Sequence, residues 1–428
     1  MFIKGLLLRN KLKPKLLREC LVCRNVGWFA NIPMGEKDPI FGILDAFLND
    51  TNPSKVNLSI GIFRTDDNKP FVLECVRKAE KIIISKNLDK EYCVLLGGSP
   101  AFQKHNLDYT LGPDCEYNQP GRNICFQSLS GCGALSMVSQ FLSRFFPGRK
   151  VVYMSDPTWP NHANVLESMG LETAYHRYYD AETVSLDFCG MMEDIHKIPK
   201  RSMILFQSIA HNPTGFDPTP EQWNEIAEEV KKRKLYAIVD NAYQGFASGD
   251  SDKDAQSFRI LAKHRVKFAL CNSFSKSLGL YGERIGSIIF LTDSQDEVQR
   301  IYTQFIPLTR ANYQNPPLHG RRIVEEVFTN PELSKIWKKE VVMMAGQLKN
   351  VRQLLVQNLK EAGSKRNWDF FTTQIGMFSY TGLSPQQIER LSKEFHIYML
   401  RCGRLAIPGL TTKNVAYVAK CLHKVTSE

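Results

Sequence analysis

The lysine at position 276 lies in a segment whose residue types suit covalent chemistry on a carbonyl. It stands within SFSKSLGLYGER, three residues after Ser273 and eight before Arg284. The preceding run VKFALCN (266–272) is typical of a buried strand, and ligands of open α/β sheets bind beyond the carboxyl ends of strands. Burial and a neighbouring cation lower the pKa of a lysine amine and free it for Schiff-base formation. Taken alone, however, the segment fits a surface lysine at a helix start better, because buried lysines are rare.

Two further loops that follow predicted strands carry polar residues. Asp240 ends the run LYAIVD, and Tyr243 follows three residues later. HNPTG (211–215), which contains Asn212, follows the run ILFQS. An aspartate buried at the end of a strand can hold a proton on the nitrogen of an aromatic ring.

A candidate anion site completes this set of loops. SGCGAL (130–135) follows the run ICFQS and opens a predicted helix. Backbone N–H groups at such a helix start attract an anion, and Ser273 and Arg284 suit the same anion. A lysine, a ring-facing acid and an anion site together predict pyridoxal phosphate, an aldehyde cofactor with a pyridine ring and a phosphate tail.

Strands and helices alternate from Val151 onward, and this pattern predicts an α/β fold with a mostly parallel sheet flanked by helices. The predicted strands cover 151–156, 204–208, 235–240, 266–272 and 286–291. Helices are predicted over 220–234 and over 324–359, the second with a break near Asn330-Pro331. The chain from Trp368 onward predicts a smaller α+β unit.

Several motifs in one order resemble those of the aspartate aminotransferases, which are class I pyridoxal-phosphate-dependent enzymes. The resemblance runs from about Trp28 to the end, and the N-terminus is similar to the mitochondrial type. The motifs are DPTWPNH (156–162), AHNPTGFDP (210–218), DNAYQGFASG (240–249), SFSKSLGLYGERIG (273–286), QNPPLHGRRIV (314–324), GMFSYTGL (376–383) and GLTTKNV (409–415).

The resemblance implies fold type I and a homodimer. A large cofactor-binding domain with a mostly parallel seven-stranded sheet would span 72–343. A small α+β domain would combine 38–71 with 344–428, and residues 25–37 would form an arm that crosses to the partner subunit.

The resemblance also implies roles around the cofactor ring. Lys276 would bond the cofactor and move a proton between the substrate Cα and the cofactor. Asp240 would keep the pyridine nitrogen protonated, while Tyr243 and Asn212 would hydrogen-bond the phenolic oxygen. Trp159 would stack on the ring. These are the expected catalytic residues, and Trp159 and Asn212 would also face the substrate.

The phosphate would be held by residues of two loops and by one residue of the neighbouring subunit. The expected phosphate ligands are Ser130, Gly131, Cys132, Ser273, Arg284 and, from the neighbouring subunit, Tyr92. The family usually has threonine at the position of Cys132, so one hydroxyl to the phosphate is lost here.

Two arginines would select the substrate. Arg404 matches the family's α-carboxylate ligand, helped by the backbone at Gly61, and Arg401 is a nearby rival for that role. Arg310 matches the residue that reaches across the dimer to the side-chain carboxylate. Because arginine binds a carboxylate through two directional hydrogen bonds, the pair favours dicarboxylic amino and keto acids. The implied reaction converts L-aspartate and 2-oxoglutarate into oxaloacetate and L-glutamate by a ping-pong mechanism through pyridoxamine phosphate.

Two other functions remain open at this point. One is a related aminotransferase with relaxed specificity for aromatic amino acids or kynurenine. The other is a non-catalytic binding protein on the same scaffold. The chain also departs from the family at three further positions. The family usually has asparagine at the positions of Gly282 and Ala406 and serine at the position of Gln314. These departures bear on substrate preference and rate.

The N-terminal segment 1–24 is basic and leucine-rich. It carries a charge of +6 out of the formal +11 of the 428-residue chain. Few acids and abundant basic residues predict a mitochondrial transit peptide and a location in the matrix, with a basic arm and a cytoplasmic protein as the alternatives. The remaining +5 gives no reason to expect nucleic-acid binding. We expect no metal site at Cys20 and Cys23 and no membrane span.

Overall fold

The computed structural model describes residues 27–35, 39–93 and 97–427. The predicted transit peptide 1–24 lies outside the described residues, as do parts of the predicted arm. The strands are β1 (Val56–Asn57), β2 (Asn123–Ser128), β3 (Val151–Asp156), β4 (Glu172–Arg177), β5 (Tyr179–Asp180), β6 (Ser185–Leu186), β7 (Met203–Gln207), β8 (Tyr236–Asn241), β9 (Phe268–Ser273), β10 (Gly286–Leu291), β11 (Phe378–Tyr380), β12 (Ile397–Tyr398) and β13 (Arg404–Ala406).

The α-helices that separate and flank these strands come in the following order. They are α1 (Pro39–Asn49), α2 (Glu74–Ser85), α3 (Pro100–Thr110), α4 (Ser130–Phe145), α5 (Asn161–Ser168), α6 (Phe188–Lys197), α7 (Pro220–Lys232), α8 (Ser251–Asp254), α9 (Gln256–Lys263), α10 (Gln295–Tyr313), α11 (His319–Thr329), α12 (Pro331–Glu361), α13 (Phe370–Thr373), α14 (Pro385–Phe395) and α15 (Val415–Ser427). Among the described residues, no helix is both long enough and apolar enough to cross a membrane.

A seven-stranded sheet in the order β2-β10-β9-β8-β7-β3-β4 forms the centre of the large unit. β10 runs antiparallel to β2 and β9, and the other pairs are parallel. The predicted mostly parallel sheet is therefore confirmed. Because six strands point the same way, the carboxyl ends of β2, β3, β7, β8 and β9 meet at one edge.

The strands that could be predicted from the sequence are those whose side chains are buried on both faces of the sheet. Every residue of β7, β9 and β10 is buried, since helices cover both faces of the sheet, and such strands are continuous apolar runs. β4 (ETAYHR) was not among the predicted strands. It is one of the two edge strands, with Tyr175 54% exposed, and its polar residues lack the apolar signal of a central strand.

Capping residues fix the predicted helices. Thr219 and Gln222 form a reciprocal capping box at the start of α7, which supplies hydrogen bonds to backbone N–H groups that lack a partner within the helix. The Asn330 side chain accepts from the backbone N–H groups of Glu332 and Leu333 at the start of α12. The predicted break at Asn330-Pro331 is confirmed there, because the same residue ends α11 and caps α12.

The C-terminal part of the chain forms small sheets that lie beside α12. β11 pairs with β13 antiparallel, and β1 from the N-terminal part pairs with β12 parallel. The pairing of β1 with β12 joins residues 56–57 to residues 397–398. The predicted boundary at 343/344 falls inside α12 and stays a prediction.

Candidate active site

A cavity of about 240 Å³ opens at the carboxyl edge of the central sheet. Its lining residues lie at or just after the carboxyl ends of β2, β3, β7, β8 and β9, and in the segments that contain or follow β1, β11 and β13. Its lining includes the predicted residues Gly61, Ser130, Gly131, Cys132, Trp159, Asn212, Asp240, Tyr243, Ser273, Lys276, Arg284 and Arg404. Twelve positions separated by up to 343 residues thus converge on one site.

Lys276 lies between aromatic and charged groups of this cavity. Its Nζ is 5.1 Å from the centre of the Tyr243 ring. Burial lowers the pKa of its amine, and the positive charges of Arg284 and Arg404 act in the same direction, while Asp240 opposes them. A lowered amine pKa increases the fraction of free amine near neutral pH, which is the form that attacks a carbonyl.

Hydroxyl groups converge at the start of α4. Ser130 Oγ is 2.8 Å from both Ser273 Oγ and Ser275 Oγ, and Arg284 Nη1 donates to Ser275 Oγ at 3.3 Å. Ser130 has a positive φ of 62°. An added Cβ at Gly131 would lie 3.4 Å from Ser273 Cβ. Three hydroxyls, an arginine and a helix N-terminus match the demands of a phosphate group.

Asp240 is held by a chain of hydrogen bonds. Its Oδ2 lies 3.1 Å from Nε2 of the fully buried His162, whose Nδ1 lies 2.8 Å from Thr158 Oγ1. A carboxylate only accepts, so His162 donates from Nε2 and its Nδ1 can accept from the threonine. Gln207 Nε2 donates to Thr158 Oγ1 at 3.3 Å and to the backbone oxygen of Asn212 at 3.0 Å. This chain fixes where the carboxylate points.

Arg404 contributes a positive charge without a counter-ion to the lining of the cavity. It is 3% exposed, donates to the backbone oxygen of Ser59 at 2.8 Å and to Asn212 Oδ1 at 3.3 Å, and forms no ion pair with any described carboxylate. Its guanidinium lies 4.1 Å from the centre of the Phe378 ring, and its Nε has no partner. Burial lowers its pKa. A buried cation without a counter-ion is costly, so this arginine suits a carboxylate ligand.

Burial also sets the pKa of two further groups in the cavity. It raises the pKa of the Tyr243 phenol above its ordinary value, and the charge of Asp240 adds to this effect. Burial likewise raises the pKa of the Cys132 thiol. A raised pKa favours the neutral thiol at Cys132, and a thiol is only a weak hydrogen-bond donor.

Two predicted residues lie outside the cavity. Tyr92 is 74% exposed, and Arg310, near the end of α10, is exposed as well. Within a single chain neither side chain reaches the cavity. Trp28 and Met34 of the predicted arm are almost fully exposed, at 99% and 96%.

The sequence analysis missed several lining residues. Ser275 shares the loop of Lys276 and could have been identified as a third serine of that anion site. Gln207 ends β7 and could have been found by the rule that ligands bind at strand ends. Ser59 and Phe378 gave no signal, because a backbone carbonyl and an ordinary phenylalanine carry no chemical signature.

The residues present fit pyridoxal phosphate. Lys276 could bond its aldehyde carbon, the serine cluster with Arg284 could hold its phosphate, and Asp240 could face its ring nitrogen. An added Cβ at Gly131 would come 3.9 Å from Asp240 Oδ1, so the anion site at the start of α4 lies beside this carboxylate.

This fold and this site define an aminotransferase: the chain belongs to the aminotransferase class I and II family, whose model matches residues 53–422. It is 45% identical over 403 residues to the mitochondrial aspartate aminotransferase of Xenopus tropicalis, covering 94% of both chains. The family predicted from the motifs is confirmed.

Two solved structures share this fold over nearly the whole chain. The aspartate aminotransferase from Saccharomyces cerevisiae cytoplasm superposes with a TM-score of 0.90 at 39% identity, covering 94% of this chain and 98% of that one. An aromatic-amino-acid aminotransferase from Burkholderia pseudomallei, covalently bound to pyridoxal phosphate, gives a TM-score of 0.90 at 37% identity, covering 93% and 99%. The predicted fold class is thereby confirmed.

Proposed function

We propose that this protein is a pyridoxal-phosphate-dependent aspartate aminotransferase, with L-aspartate and 2-oxoglutarate as its substrates. One observation carries the proposal: Lys276, Asp240 and the unpaired Arg404 line the same cavity. The similarity to aspartate aminotransferases over 94% of the chain supports it.

The side chains divide the work of transamination. When bound, pyridoxal phosphate supplies an electron sink for negative charge that develops at the substrate Cα. Lys276, whose amine pKa is lowered by burial, would carry the proton that the substrate Cα loses. Asp240 would favour a protonated nitrogen in the ring it faces, and Arg404 would orient the α-carboxylate so that the Cα–H bond faces the lysine. Trp159 would stack on the cofactor ring and Tyr243 would hydrogen-bond its phenolic oxygen, since both line the cavity.

The proposed homodimer would complete the site. Arg310 is exposed and Tyr92 is exposed, and each would reach the cavity of the partner subunit. The apolar side chains of Trp28 and Met34 would be covered by the same association, with residues 25–37 as the arm. The proposed domains are those given above, 72–343 and the pair 38–71 with 344–428.

The test of this function is a coupled assay of the protein reconstituted with pyridoxal phosphate. We expect kcat/KM for aspartate to exceed that for phenylalanine. A preference for phenylalanine or kynurenine would instead support the relaxed-specificity alternative, which the similarity to an aromatic-amino-acid aminotransferase favours. A protein that stays colourless with added cofactor would support the non-catalytic alternative.

A hybrid experiment tests the dimer and the role of Arg310 together. We expect Lys276→Ala and Arg310→Ala to be inactive on aspartate when each is assayed alone. Refolding an equal mixture should make half of the dimers heterodimers. One of the two sites in each heterodimer would combine an intact lysine with an intact arginine, so about one quarter of the native activity should return. No recovery, with dimers verified by light scattering, would contradict a shared site.

The carboxylate role of Arg404 predicts a large loss in substrate binding. Arg404→Ala should lower kcat/KM for aspartate by about 10²–10⁴-fold, since breaking a buried ion pair costs about 3–5 kcal/mol. Arg401→Ala is the matched control, because Arg401 is exposed and only three residues away. Equal effects of the two substitutions in steady-state kinetics would contradict the assignment.

The neutral thiol of Cys132 predicts a weaker hold on the phosphate than a hydroxyl would give. Cys132→Thr should lower the dissociation constant of pyridoxal phosphate by roughly 5–30-fold, because a hydrogen bond to a charged group contributes about 1–2 kcal/mol. Cofactor-free protein would be titrated and followed by its tryptophan fluorescence. Cys132→Ala should bind as the native protein does. If threonine brings no gain over cysteine, Cys132 is not a phosphate neighbour.

We also propose a location in the mitochondrial matrix, with 1–24 as a transit peptide. The basic composition of this segment supports it, as does the name of the Xenopus relative; the yeast structure, by contrast, is of a cytoplasmic enzyme. Import of the full chain into isolated mitochondria with removal of the N-terminus would support this location, and a chain that stays outside at full length would favour the cytoplasm.

A further inference from the structure

A second cavity, of about 370 Å³, lies at the opposite edge of the central sheet. Its walls come from the turns that precede β7, β8 and β9, so strands of five or six residues separate it from the candidate active site by about 20 Å. Adjacent turns are in contact, since the backbone N–H of Arg201 donates to the backbone oxygen of Arg233 at 3.4 Å. The size falls within the range of small-molecule sites.

The lining of this cavity is strongly basic. Five cations line it and no carboxylate does: Arg201, Lys231, Lys234, Arg265 and Lys267. Lys267 pairs with Asp293 at 2.6 Å, and Arg265 lies 3.6 Å from Glu116, which already pairs with Arg122 at 2.6 Å. The other three cations form no ion pair with a carboxylate of the described residues. Three positive charges are thus left uncompensated around one cavity.

Backbone geometry shows that the basic residues occupy unusual positions. Arg201, Lys234 and Arg265 have positive φ angles of 63°, 54° and 60°, a conformation that favours glycine or asparagine. Cations near a helix C-terminus are also expected from the helix dipole, which accounts for Lys231 in the last turn of α7, for Lys234 just after α7 and for Arg265 just after α9. It does not account for Arg201, four residues past α6, or for Lys267 directly before β9.

One wall of the cavity is aromatic. Phe146 and Tyr236 line it, with ring centres 5.8 Å apart and an angle of 53° between the rings. An aromatic wall beside a cluster of arginines and lysines offers ring contacts and charge to the same ligand. Arginine forks and lysine ammonium groups are both suited to phosphate oxygens.

We propose that this cavity is a second anion site, which binds the oligophosphate chain of a small molecule. The phosphates would lie among the unpaired Arg201, Lys231 and Lys234 and beside Arg265, and an attached aromatic base would lie against Phe146 and Tyr236. The site is separate from the proposed aminotransferase site and does not depend on that activity.

Isothermal titration calorimetry with tripolyphosphate and with ATP tests the proposal. The protein is loaded with pyridoxal phosphate, so that the anion-binding residues of the active site are already engaged. We expect saturable binding with a dissociation constant of roughly 10–100 μM at low salt, and weaker binding as salt screens the charges. Tighter binding of ATP would show that the aromatic wall takes part, and equal binding would show that the phosphate chain alone is recognised; both results support the site.

The variant Arg201→Asn/Lys234→Asn/Arg265→Asn removes three charges and suits the three backbone conformations, because asparagine tolerates positive φ. It should weaken binding of both probes by about tenfold or more, since charge-assisted hydrogen bonds are lost, and it should keep its transaminase activity. Lys335→Gln/Lys338→Gln/Lys339→Gln makes the same change in net charge on exposed positions of α12 and should bind as the native protein does. Absence of binding up to about 1 mM, or equal affinity of both triple variants, overturns the proposal.

Discussion

Lys276→Ala is expected to lower kcat for aspartate transamination by at least about 10⁴-fold, because it removes both the covalent attachment and the proton carrier. Tyr243, whose ring lies 5.1 Å from the amine, is a poor substitute base because burial raises its pKa. Stopped-flow and steady-state assays of the reconstituted variant measure this loss.

The control for Lys276→Ala is a lysine of ordinary environment. Lys349→Ala, on the exposed side of α12, should leave kcat unchanged. A second readout separates chemistry from folding: covalent capture of pyridoxal phosphate by the cofactor-free native protein should rise with pH around a midpoint below the ordinary lysine value of 10.5. A variant that keeps a tenth of native turnover would contradict the assignment of Lys276.

The positions of the site residues along the strands explain why so much of the site could be predicted. Asp240 lies near the end of the buried strand β8, and Asn212 and Lys276 follow the buried strands β7 and β9. Parallel strands bring their carboxyl ends to one edge of the sheet. The alternation of strands and helices along the chain is therefore enough to predict that these three residues lie close together. The family resemblance then assigned roles that spacing alone could not.

The rest of the site depends on contacts that no local pattern encodes. Arg404 donates to the backbone oxygen of Ser59, 345 residues away, and the ring of Phe378 beside it is one of many buried phenylalanines. The edge strand β4 is too polar to be distinguished from a loop. The basic cavity was missed for a related reason, since its cations come from three separate turns and the net charge of +5 beyond residue 24 hides their clustering.

The charge of Asp240, rather than its shape, is expected to be essential. Asp240→Asn keeps a group that can accept from His162 Nε2, now at 3.1 Å from the carboxylate, so the hydrogen-bonded chain through Thr158 can persist. The negative charge that would hold a proton on the cofactor ring is lost. We expect kcat to fall by about 10³-fold, the upper end of what one preorganised electrostatic contact contributes.

The matched control for this substitution is Asp254→Asn, which removes a carboxylate that is only 1% exposed and lies outside the cavity lining. Asp254 accepts from the backbone N–H groups of Ala247 and Ser248, so its loss tests stability without touching the cofactor. It should change the melting temperature but not kcat, while Asp240→Asn should change kcat and the affinity for pyridoxal phosphate. Retention of more than a tenth of native kcat by Asp240→Asn would contradict this role. The hydrogen bonds that connect Gln207, Thr158, His162 and Asp240 would then contribute to stability only, and another group would have to stabilise the ring.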